Sequence, residues 1–142
     1  MDNRRPTRIF LGGTCNGSKW REQLIPLLEQ RGFDYFNPVV PDWTPACKEV
    51  EIQERATCDV CLYVITPKMT GVYSVAEVVD DSNKRPLHTV LCILSSDDGE
   101  SWTEAQARSI TSVADLVKRN RAAVFFNLES VAEYLTLSRA IR

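Results

Sequence analysis

The sequence predicts an α/β fold in which helices cover both faces of a parallel sheet. Short apolar runs alternate with segments of helical periodicity along the chain of 142 residues. A strand followed by a helix and then by another strand is typical of parallel pairing with right-handed crossovers. One run, 60–66, is apolar and β-branched almost throughout, which indicates a central strand that is covered on both faces.

The first part of the chain is predicted to contain two strands and two helices in alternation, at 8–11, 18–31, 35–40 and 46–57. Trp20 and Leu24 recur at helical spacing in the first helix. Pro26 is expected to kink or break that helix, because proline removes an interior hydrogen bond. The Gly12-Gly13 pair is expected to end the first strand.

The rest of the chain is predicted to add three strands and three helices, at 60–66, 74–81, 89–94, 102–119, 122–128 and 131–141. This rhythm favours a single doubly wound domain over residues 1–142, with a five-stranded parallel sheet in the flavodoxin-like order 2-1-3-4-5. Such sheets bind ligands beyond the carboxyl ends of their strands, near the switch between strands 1 and 3. We therefore expect the site to form from the loops that follow strands 1 to 4.

Composition and charge exclude some classes of binding partner. The formal net charge is −2, so the chain offers no basic field for a nucleic acid polymer. It has no run of about 18 apolar residues that could span a membrane, and its first residues lack the apolar stretch of a signal peptide. Five cysteines, an odd number, favour reduced thiols. These features together predict a cytoplasmic protein.

The loop after strand 1, residues 12–18, is rich in glycine and opens a helix. Free N–H groups at a helix N-terminus attract phosphate or carboxylate, and glycine lets the backbone approach a ligand. Gly12 and Gly17 have the spacing of a P-loop, but the Ser18-Lys19 that follows does not fit that motif. We exclude a P-loop, and a tight turn without a ligand is the alternative.

Glu77 is the best candidate for the chemistry, because it follows the central strand at the start of a helix. The helix dipole there favours an ionised carboxylate, which can attack an electrophilic sugar carbon. The pattern Ser74-x-x-Glu77 also fits a capping box, in which Glu77 only accepts from the Ser74 N–H. After strand 2, Asp42 can hydrogen-bond a sugar and Trp43 can stack on a base, unless both belong to an exposed turn.

Other reactive or charged side chains have weaker signals. Cys58-x-x-Cys61 straddles the start of a buried strand and lacks the second pair or histidine of a zinc site. His88 precedes strand 4 at its amino end, which argues against a catalytic Ser-His or Cys-His pair. Lys68 and Arg21 are either solvated charges or partners for a 5′-phosphate.

By their order and spacing, several short motifs together resemble the nucleoside 2-deoxyribosyltransferase-like family over residues 8–95: Gly12-Gly13-Thr14, Trp20-Arg21, Phe36-Asn37-Pro38, Asp42-Trp43, Glu51-Ile52-Gln53-Glu54, Asp59 and Ser74-x-x-Glu77. The resemblance implies an enzyme that cleaves the N-glycosidic bond of a 2′-deoxynucleoside or its 5′-monophosphate, with transfer of the sugar to a second base or to water. It implies that Glu77 attacks C1′, that no metal or organic cofactor is needed, and that the protein is a homo-oligomer.

On this hypothesis Glu77 and Asp42 are the catalytic residues, and Asp42 assists the departing base. The residues expected to bind the sugar, the base or the phosphate are Gly12, Gly13, Thr14, Asn37, Trp43, Asp59 and Ser74. Asp59 belongs to this set by resemblance alone, because the strand pattern puts it at the end of strand 3 opposite to the crevice.

The sequence departs from the family at two places. Phe10 stands where many transferases have a tyrosine near the end of strand 1, and Thr70-Gly71 stands where many have an aspartate. Tyr73 is an alternative source of the phenol, from another loop. Two other functions therefore stay open: a module that binds a nucleotide without cleaving it, and a glycohydrolase that cleaves NAD.

Overall fold

The strands and helices are defined in a computed structural model that describes residues 5–139. In chain order they are β1 (Arg8–Gly13), α1 (Trp20–Gln30), β2 (Asp34–Phe36), α2 (Pro45–Thr57), β3 (Val60–Ile65), α3 (Tyr73–Lys84), β4 (Thr89–Ile93), β5 (Ser96–Asp97), β6 (Glu100–Ser101), α4 (Glu104–Arg119), β7 (Ala123–Phe125) and α5 (Leu128–Ser138). A short 3-10 turn, Pro86–His88, precedes β4. Within the described range, no helix has the length and apolar character needed to cross a membrane.

Five parallel strands form the main sheet, in the order β2-β1-β3-β4-β7. The predicted α/β doubly wound class and the order 2-1-3-4-5 are confirmed. All six residues of β3 are buried, as its apolar sequence predicts for a central strand. The outer strands β2 and β7 have three residues each and are shorter than predicted, in keeping with their position at the edges of the sheet.

Helices pack on the two faces of this sheet through separate apolar clusters. On one face, the buried apolar side chains of α1 and α5 include Trp20, Leu24, Leu28, Val131 and Leu135. On the other face, those of α3 and α4 are Val78, Ile110, Ala114 and Val117. Full burial of a large apolar side chain stabilises a fold by about 1.5–3 kcal/mol. These contacts fix four of the helices on the sheet.

The helix α2 is different, because none of its 13 residues is buried. It begins after Thr44 with Pro45, a residue that is favoured at the first helical position because the N–H it lacks has no partner there. Its side chains contact β1, β3 and α3 mainly through the charged residues Glu54 and Arg55. The polar side of α2 therefore faces the rest of the molecule.

Two boundaries near the N-terminus correct the sequence prediction. β1 does not end before Gly12 and Gly13 but continues through both, which pair with Tyr63 and Val64 of β3. Glycine is tolerated there because the neighbouring strand fills the space that a side chain would take. Of the predicted kink or break at Pro26, the break does not occur, since Pro26 lies inside a continuous helix, on its exposed side.

Side-chain caps that the prediction overlooked set the starts of the last two helices. Gln106 N donates to Thr103 Oγ1 at 3.1 Å and Thr103 N donates to Gln106 Oε1 at 2.9 Å, so α4 begins after Thr103. Ser130 N donates to Asn127 Oδ1 at 2.8 Å, so α5 begins at Leu128. This is three residues earlier than predicted, and β7 is shortened accordingly. The predicted end of this helix, at 141, lies outside the described residues.

A small antiparallel pair, β5 and β6, is absent from the sequence prediction. Asp98 and Gly99 form its turn, with φ angles of 51° and 80°. Asp-Gly is a strong sequence signal for such a two-residue hairpin turn, so the pattern was available. The hairpin is joined to the segment after β3, because Thr66 Oγ1 donates to Asp97 Oδ2 at 2.6 Å and Lys68 Nζ donates to Asp98 Oδ2 at 3.1 Å.

Candidate functional site

A crevice of about 280 Å³ lies at the carboxyl ends of β1 and β3. The loop after β1 contributes Gly13, Thr14 and Asn16 to its wall, and the segment that enters α3 contributes Thr70 and Ser74. An open α/β sheet binds its ligands at such a place, where the winding reverses between two neighbouring strands. The volume is close to the lower limit of small-molecule sites, which is about 300 Å³.

The loop after β1 is held against β3 by its own backbone. Gly13 has a φ of +123°, and a Cβ at this position would lie 2.1 Å from the Val64 carbonyl oxygen, so only glycine fits. Thr14 N donates to Val64 O at 2.9 Å, and Thr66 N donates to Thr14 Oγ1 at 3.0 Å. Gly13 and Thr14, both predicted site residues, therefore lie in a fixed wall of the crevice.

Behind this loop, the buried Arg21 binds the loop carbonyls. Its guanidinium donates to Leu11 O at 2.9 Å, to Thr14 O at 2.8 Å and to Gly13 O at 3.4 Å. Trp20 Nε1 also donates to Thr14 O, at 2.8 Å, and its ring lies 4.3 Å from the Arg21 guanidinium carbon. Burial lowers the pKa of Arg21. Arg21 is thus not the solvated charge that the sequence allowed, and its donors are turned to backbone oxygens.

Asn16 connects the two walls of the crevice. Its Nδ2 donates to Lys68 O at 3.0 Å and to Thr70 Oγ1 at 2.6 Å. Lys68, the other residue considered as a phosphate partner, pairs with Asp98 of the hairpin instead. The mouth of the crevice is therefore bordered by two loops that are hydrogen-bonded to each other.

Glu77 lies three residues beyond Ser74 in α3. The N-cap of this helix is Val72 and its first residue is Tyr73, so Ser74 is already helical and the predicted capping box does not form. Glu77 is the fifth helical residue and lies in the second turn, past the free N–H groups that were expected to stabilise its charge. Its side chain is 17% exposed, and its Oε2 lies 3.6 Å from Nε of Arg55 in α2.

Arg55 joins α2 to a polar network on β3 and α3. Its Nε donates to Tyr63 OH at 3.0 Å and to Asp81 Oδ2 at 3.2 Å, while Nη2 donates to Asp81 Oδ1 at 3.0 Å and to Asp80 Oδ2 at 3.1 Å. Tyr63 OH donates to Asp81 Oδ2 at 2.6 Å. Tyr63 and Asp81 are buried, so these partners offset the loss of their hydration. Tyr63, and not the exposed Tyr73, supplies the phenol of this network.

The charges around Glu77 act on it in opposite directions. Burial raises the pKa of Glu77, the Arg55 cation opposes this rise, and the negative charges of Asp81 and Glu51 add to it. The net shift is opposite to the one expected from the helix dipole. Burial also raises the pKa of Glu51, against the influence of Arg21. Carboxyl groups with perturbed pKa values beside a cleft are a frequent feature of active sites.

The predicted residues of the β2–α2 loop lie away from these contacts. Asp42 and Trp43 are exposed, and the side chain of Trp43 presents an aromatic surface to solvent. Among residues 5–139, no hydrogen bond or ion pair holds the Asp42 carboxylate. Asn37 Oδ1 accepts from Val39 N at 3.0 Å and so stabilises a local turn. The structure therefore leaves all three residues on the loop rather than in the crevice wall.

Asp59 and Gly12 are placed where neither reaches the crevice. Asp59 precedes β3 at the amino ends of the strands, opposite to the crevice. Its carboxylate accepts there from Arg5 at 2.7 and 2.9 Å and from Arg8 N at 2.8 Å. This position agrees with the strand pattern and not with the role implied by resemblance. Gly12 is buried within β1, and a Cβ at this position would lie 2.7 Å from the Tyr63 ring.

Among the cysteine and histidine side chains, Cys61 contacts this network, because its Sγ donates to Arg55 O at 3.3 Å. All five cysteines are free. Cys58 and Cys61 are buried, and burial raises the pKa of each thiol to about 12, which suits small apolar side chains. His88 lies near the amino end of β4, with Nδ1 2.9 Å from Asp59 O. In the part of the chain that the structure describes, no three acidic, cysteine or histidine side chains are grouped to hold a metal ion.

Sequence reasoning missed Arg55, Tyr63, Asp81 and Glu51 as members of this region. The helical spacing was available, because Glu51 and Arg55 are four residues apart on α2, and Glu77 and Asp81 are four apart on α3. Each pair therefore shares one face of its helix. The contact between these two faces is a tertiary one, which the spacing alone does not predict.

A second cavity, of about 300 Å³, lies between α1 and α5. Leu27, Leu94 and Leu128 form part of its wall, together with Asn127 and Glu129. The Asn127 side chain already caps α5. This cavity is away from the reversal of winding between β1 and β3, so the first crevice is the better supported site.

Comparison with known proteins identifies a family. The model of a family described as nucleoside 2-deoxyribosyltransferase like matches residues 6–95 of this chain. The matched region includes both walls of the crevice, the helix α2 and Glu77. No curated protein and no solved structure matches the chain.

Proposed function

This chain belongs to the nucleoside 2-deoxyribosyltransferase-like family, and on that premise we propose that it cleaves the N-glycosidic bond of a 2′-deoxynucleoside or its 5′-monophosphate. The observation that carries this proposal is the position of Glu77. Its carboxylate is largely shielded from water, contacts the Arg55 cation and follows by one helical turn the crevice residue Ser74. A shielded carboxylate beside a cleft is the group that retaining glycosidic cleavage requires.

In the proposed reaction, the Glu77 carboxylate attacks C1′ of the deoxyribose. The new C1′–O bond forms as the C1′–N bond breaks, and the base leaves with the electron pair of that bond and takes up a proton. Water or a second base then attacks C1′ and releases the Glu77 carboxylate. Water gives hydrolysis, whereas a second base gives transfer.

The proton for the departing base has two candidate donors. Asp42, the donor inferred from the sequence, lies on the exposed loop before α2. Glu51 lies within electrostatic range of Glu77, and burial raises its pKa, which favours a group that must hold a proton near neutral pH. Comparison of Asp42→Asn with Glu51→Gln identifies the donor as the residue whose replacement lowers base release more.

A module that binds a nucleotide without cleaving it is the second candidate function. It is supported by the orientation of Glu77, whose carboxylate is turned towards Arg55, and by the presence of Phe10 and Thr70-Gly71 in place of family residues. In this case the crevice would hold the intact ligand. NAD is a further substrate for a glutamate of this kind and belongs in the same assay.

The proposal is tested by incubating the purified protein with deoxynucleosides, with their 5′-monophosphates and with NAD, and by measuring free base or nicotinamide by chromatography. We expect base release from a deoxynucleoside or its monophosphate, and a loss of roughly 10³-fold or more in Glu77→Gln. Glu133→Gln, the same change on the exposed surface of α5, is the matched control and should retain activity.

Equal release by wild type and Glu77→Gln would overturn the role of Glu77. Absence of release from every substrate, together with tight binding of an intact monophosphate in calorimetry, would replace cleavage by the binding function. Release of nicotinamide without release of any nucleobase would assign the protein to NAD cleavage.

A further inference from the structure

The helix α2 is attached to the molecule by a side chain that also contacts the proposed nucleophile. We infer that Arg55 is a positioning residue, which holds the Glu77 carboxylate ionised and in place through its own contacts. This inference rests on the proposed function and adds a residue that acts through Glu77. It follows from the contacts of Arg55, from the charges that surround Glu77 and from the absence of apolar packing under α2.

The contacts of Arg55 fix its guanidinium from several sides. Asp81 accepts from both Nε and Nη2, and Tyr63 OH accepts from Nε. Nη2 also donates to the Glu77 backbone oxygen at 3.4 Å, while Nε lies 3.6 Å from the Glu77 carboxylate. A planar guanidinium can satisfy this divergent set of acceptors, whereas the ammonium group of a lysine cannot match its geometry.

The charges that face Glu77 are mostly negative. Asp81 follows it by one turn on α3, and Glu51 faces it from α2, while the Tyr63 phenol approaches from β3. Like charges four residues apart on a helix repel each other. Among residues 5–139, Arg55 is the one cation that forms an ion pair with Glu77.

The other cations of this region are engaged with other carboxylates. Lys84 pairs with Asp80 at 3.0 Å, and Arg85 approaches Asp81 at 3.6 Å. Without Arg55, burial and the two neighbouring carboxylates would act on Glu77 unopposed. The pKa of Glu77 would then rise further, so a smaller fraction of its carboxyl groups would be ionised and able to attack C1′.

The competing explanation is that Arg55 only fastens α2. Glu54, the preceding residue, provides a matched test, because it fastens the same helix through Arg8 Nε and Nη2 at 3.0 Å. Glu54 forms no contact with Glu77 in the described structure. Glu54→Gln therefore weakens the attachment of α2 and leaves the surroundings of Glu77 unchanged.

The experiment compares Arg55→Met, Arg55→Lys and Glu54→Gln in full-length protein whose glutamates carry a ¹³C-labelled side-chain carboxyl. The Glu77 signal is assigned by its absence from Glu77→Gln and is titrated by NMR, so that this readout does not depend on turnover. Base release is measured over the same pH range. Circular dichroism establishes that each variant is folded.

We expect Arg55→Met to raise the pKa of Glu77 by about one unit or more and to move the acidic limb of kcat to higher pH by the same amount. In Arg55→Lys, the pKa of Glu77 should be close to its wild-type value. Only part of the wild-type kcat should be retained, with KM little changed. Glu54→Gln should leave both the pKa of Glu77 and the pH profile as in the wild type.

The inference is overturned if folded Arg55→Met leaves the pKa of Glu77 unchanged, or if Glu54→Gln shifts it equally. If Arg55→Met does not fold, Arg55→Lys is the test of the inference. Wild-type values of both kcat and the pKa of Glu77 in Arg55→Lys would then overturn it. If the wild type releases no base, the proposed function fails while the NMR titration still decides whether Arg55 sets the ionisation of Glu77.

Discussion

Two helices of similar length, α1 and α2, are attached to the molecule in opposite ways. α1 buries Trp20, Leu24 and Leu28 against the sheet. α2 buries no residue fully, and its contacts run through the ion pairs of Glu54 and Arg55. A partly exposed ion pair such as Arg8–Glu54 contributes about 0–1 kcal/mol, less than a buried leucine.

In this fold, α1 contributes to stability through the core, whereas α2 contacts the proposed catalytic residue. The apolar face of α1 is part of the core and does not depend on pH. The polar face of α2 contacts carboxylates of α3, including the proposed nucleophile. Through Arg55, α2 places a cation next to an ionisable carboxyl group, which the apolar face of α1 does not do.

The largest effect expected from this comparison is on global stability. Leu24→Ala in α1 should lower the free energy of unfolding by about 2–5 kcal/mol, because it leaves a cavity at a fully buried site. Ile52→Ala removes a comparable side chain from the exposed side of α2 and should change it by less than about 0.5 kcal/mol. Urea unfolding measures both, and equal losses would contradict the contrast between the helices.

An intermediate effect is expected on local opening. Amide hydrogens of α2 should exchange with solvent at least about tenfold faster than those of α1, because α2 can detach without exposing a core. Hydrogen–deuterium exchange followed by mass spectrometry measures this difference. About 1 M salt, which screens charges beyond about 3 Å, should widen it. Equal protection of α1 and α2 at both salt concentrations would show that α2 is not a separate unit.

The smallest effect concerns Glu54 of α2 and Glu77 of α3, whose contributions to stability should respond to pH with opposite signs. The Arg8 hydrogen bonds lower the pKa of Glu54, so its contribution to stability is present above its ordinary pKa and is lost as the pH falls through the lowered value. Burial raises the pKa of Glu77, so its contribution is full below the ordinary pKa and is lost as the pH rises through the raised value.

Urea unfolding of wild type, Glu54→Gln and Glu77→Gln between pH 3.5 and 8 tests these signs. The advantage of wild type over Glu54→Gln should grow towards neutral pH, whereas its stability relative to Glu77→Gln should decline over the same interval. Slopes of the same sign would contradict the assigned surroundings of the two carboxyls.

The sequence was sufficient for the sheet, because its information is local and repeated. The apolar run of β3 identifies a central strand, and the alternation of elements predicts the strand order. The predicted capping box at Ser74 is wrong, because α3 begins one residue earlier, at Tyr73. No single sequence motif determines where this helix begins. The Arg55 network was not predicted, because the partners of Arg55 lie 8 to 26 residues from it along the chain, on β3 and α3.

The close approach of Gly12 to Tyr63 has a consequence for the evolution of this chain. A methyl group at position 12 would occupy space that the tyrosine ring already fills, at 2.7 Å. Alanine at 12 and tyrosine at 63 should therefore exclude one another, and a substitution at one position should be tolerated only after a reduction at the other. The Tyr63 phenol of the Arg55 network should therefore be retained in evolution together with the glycine at position 12 of β1.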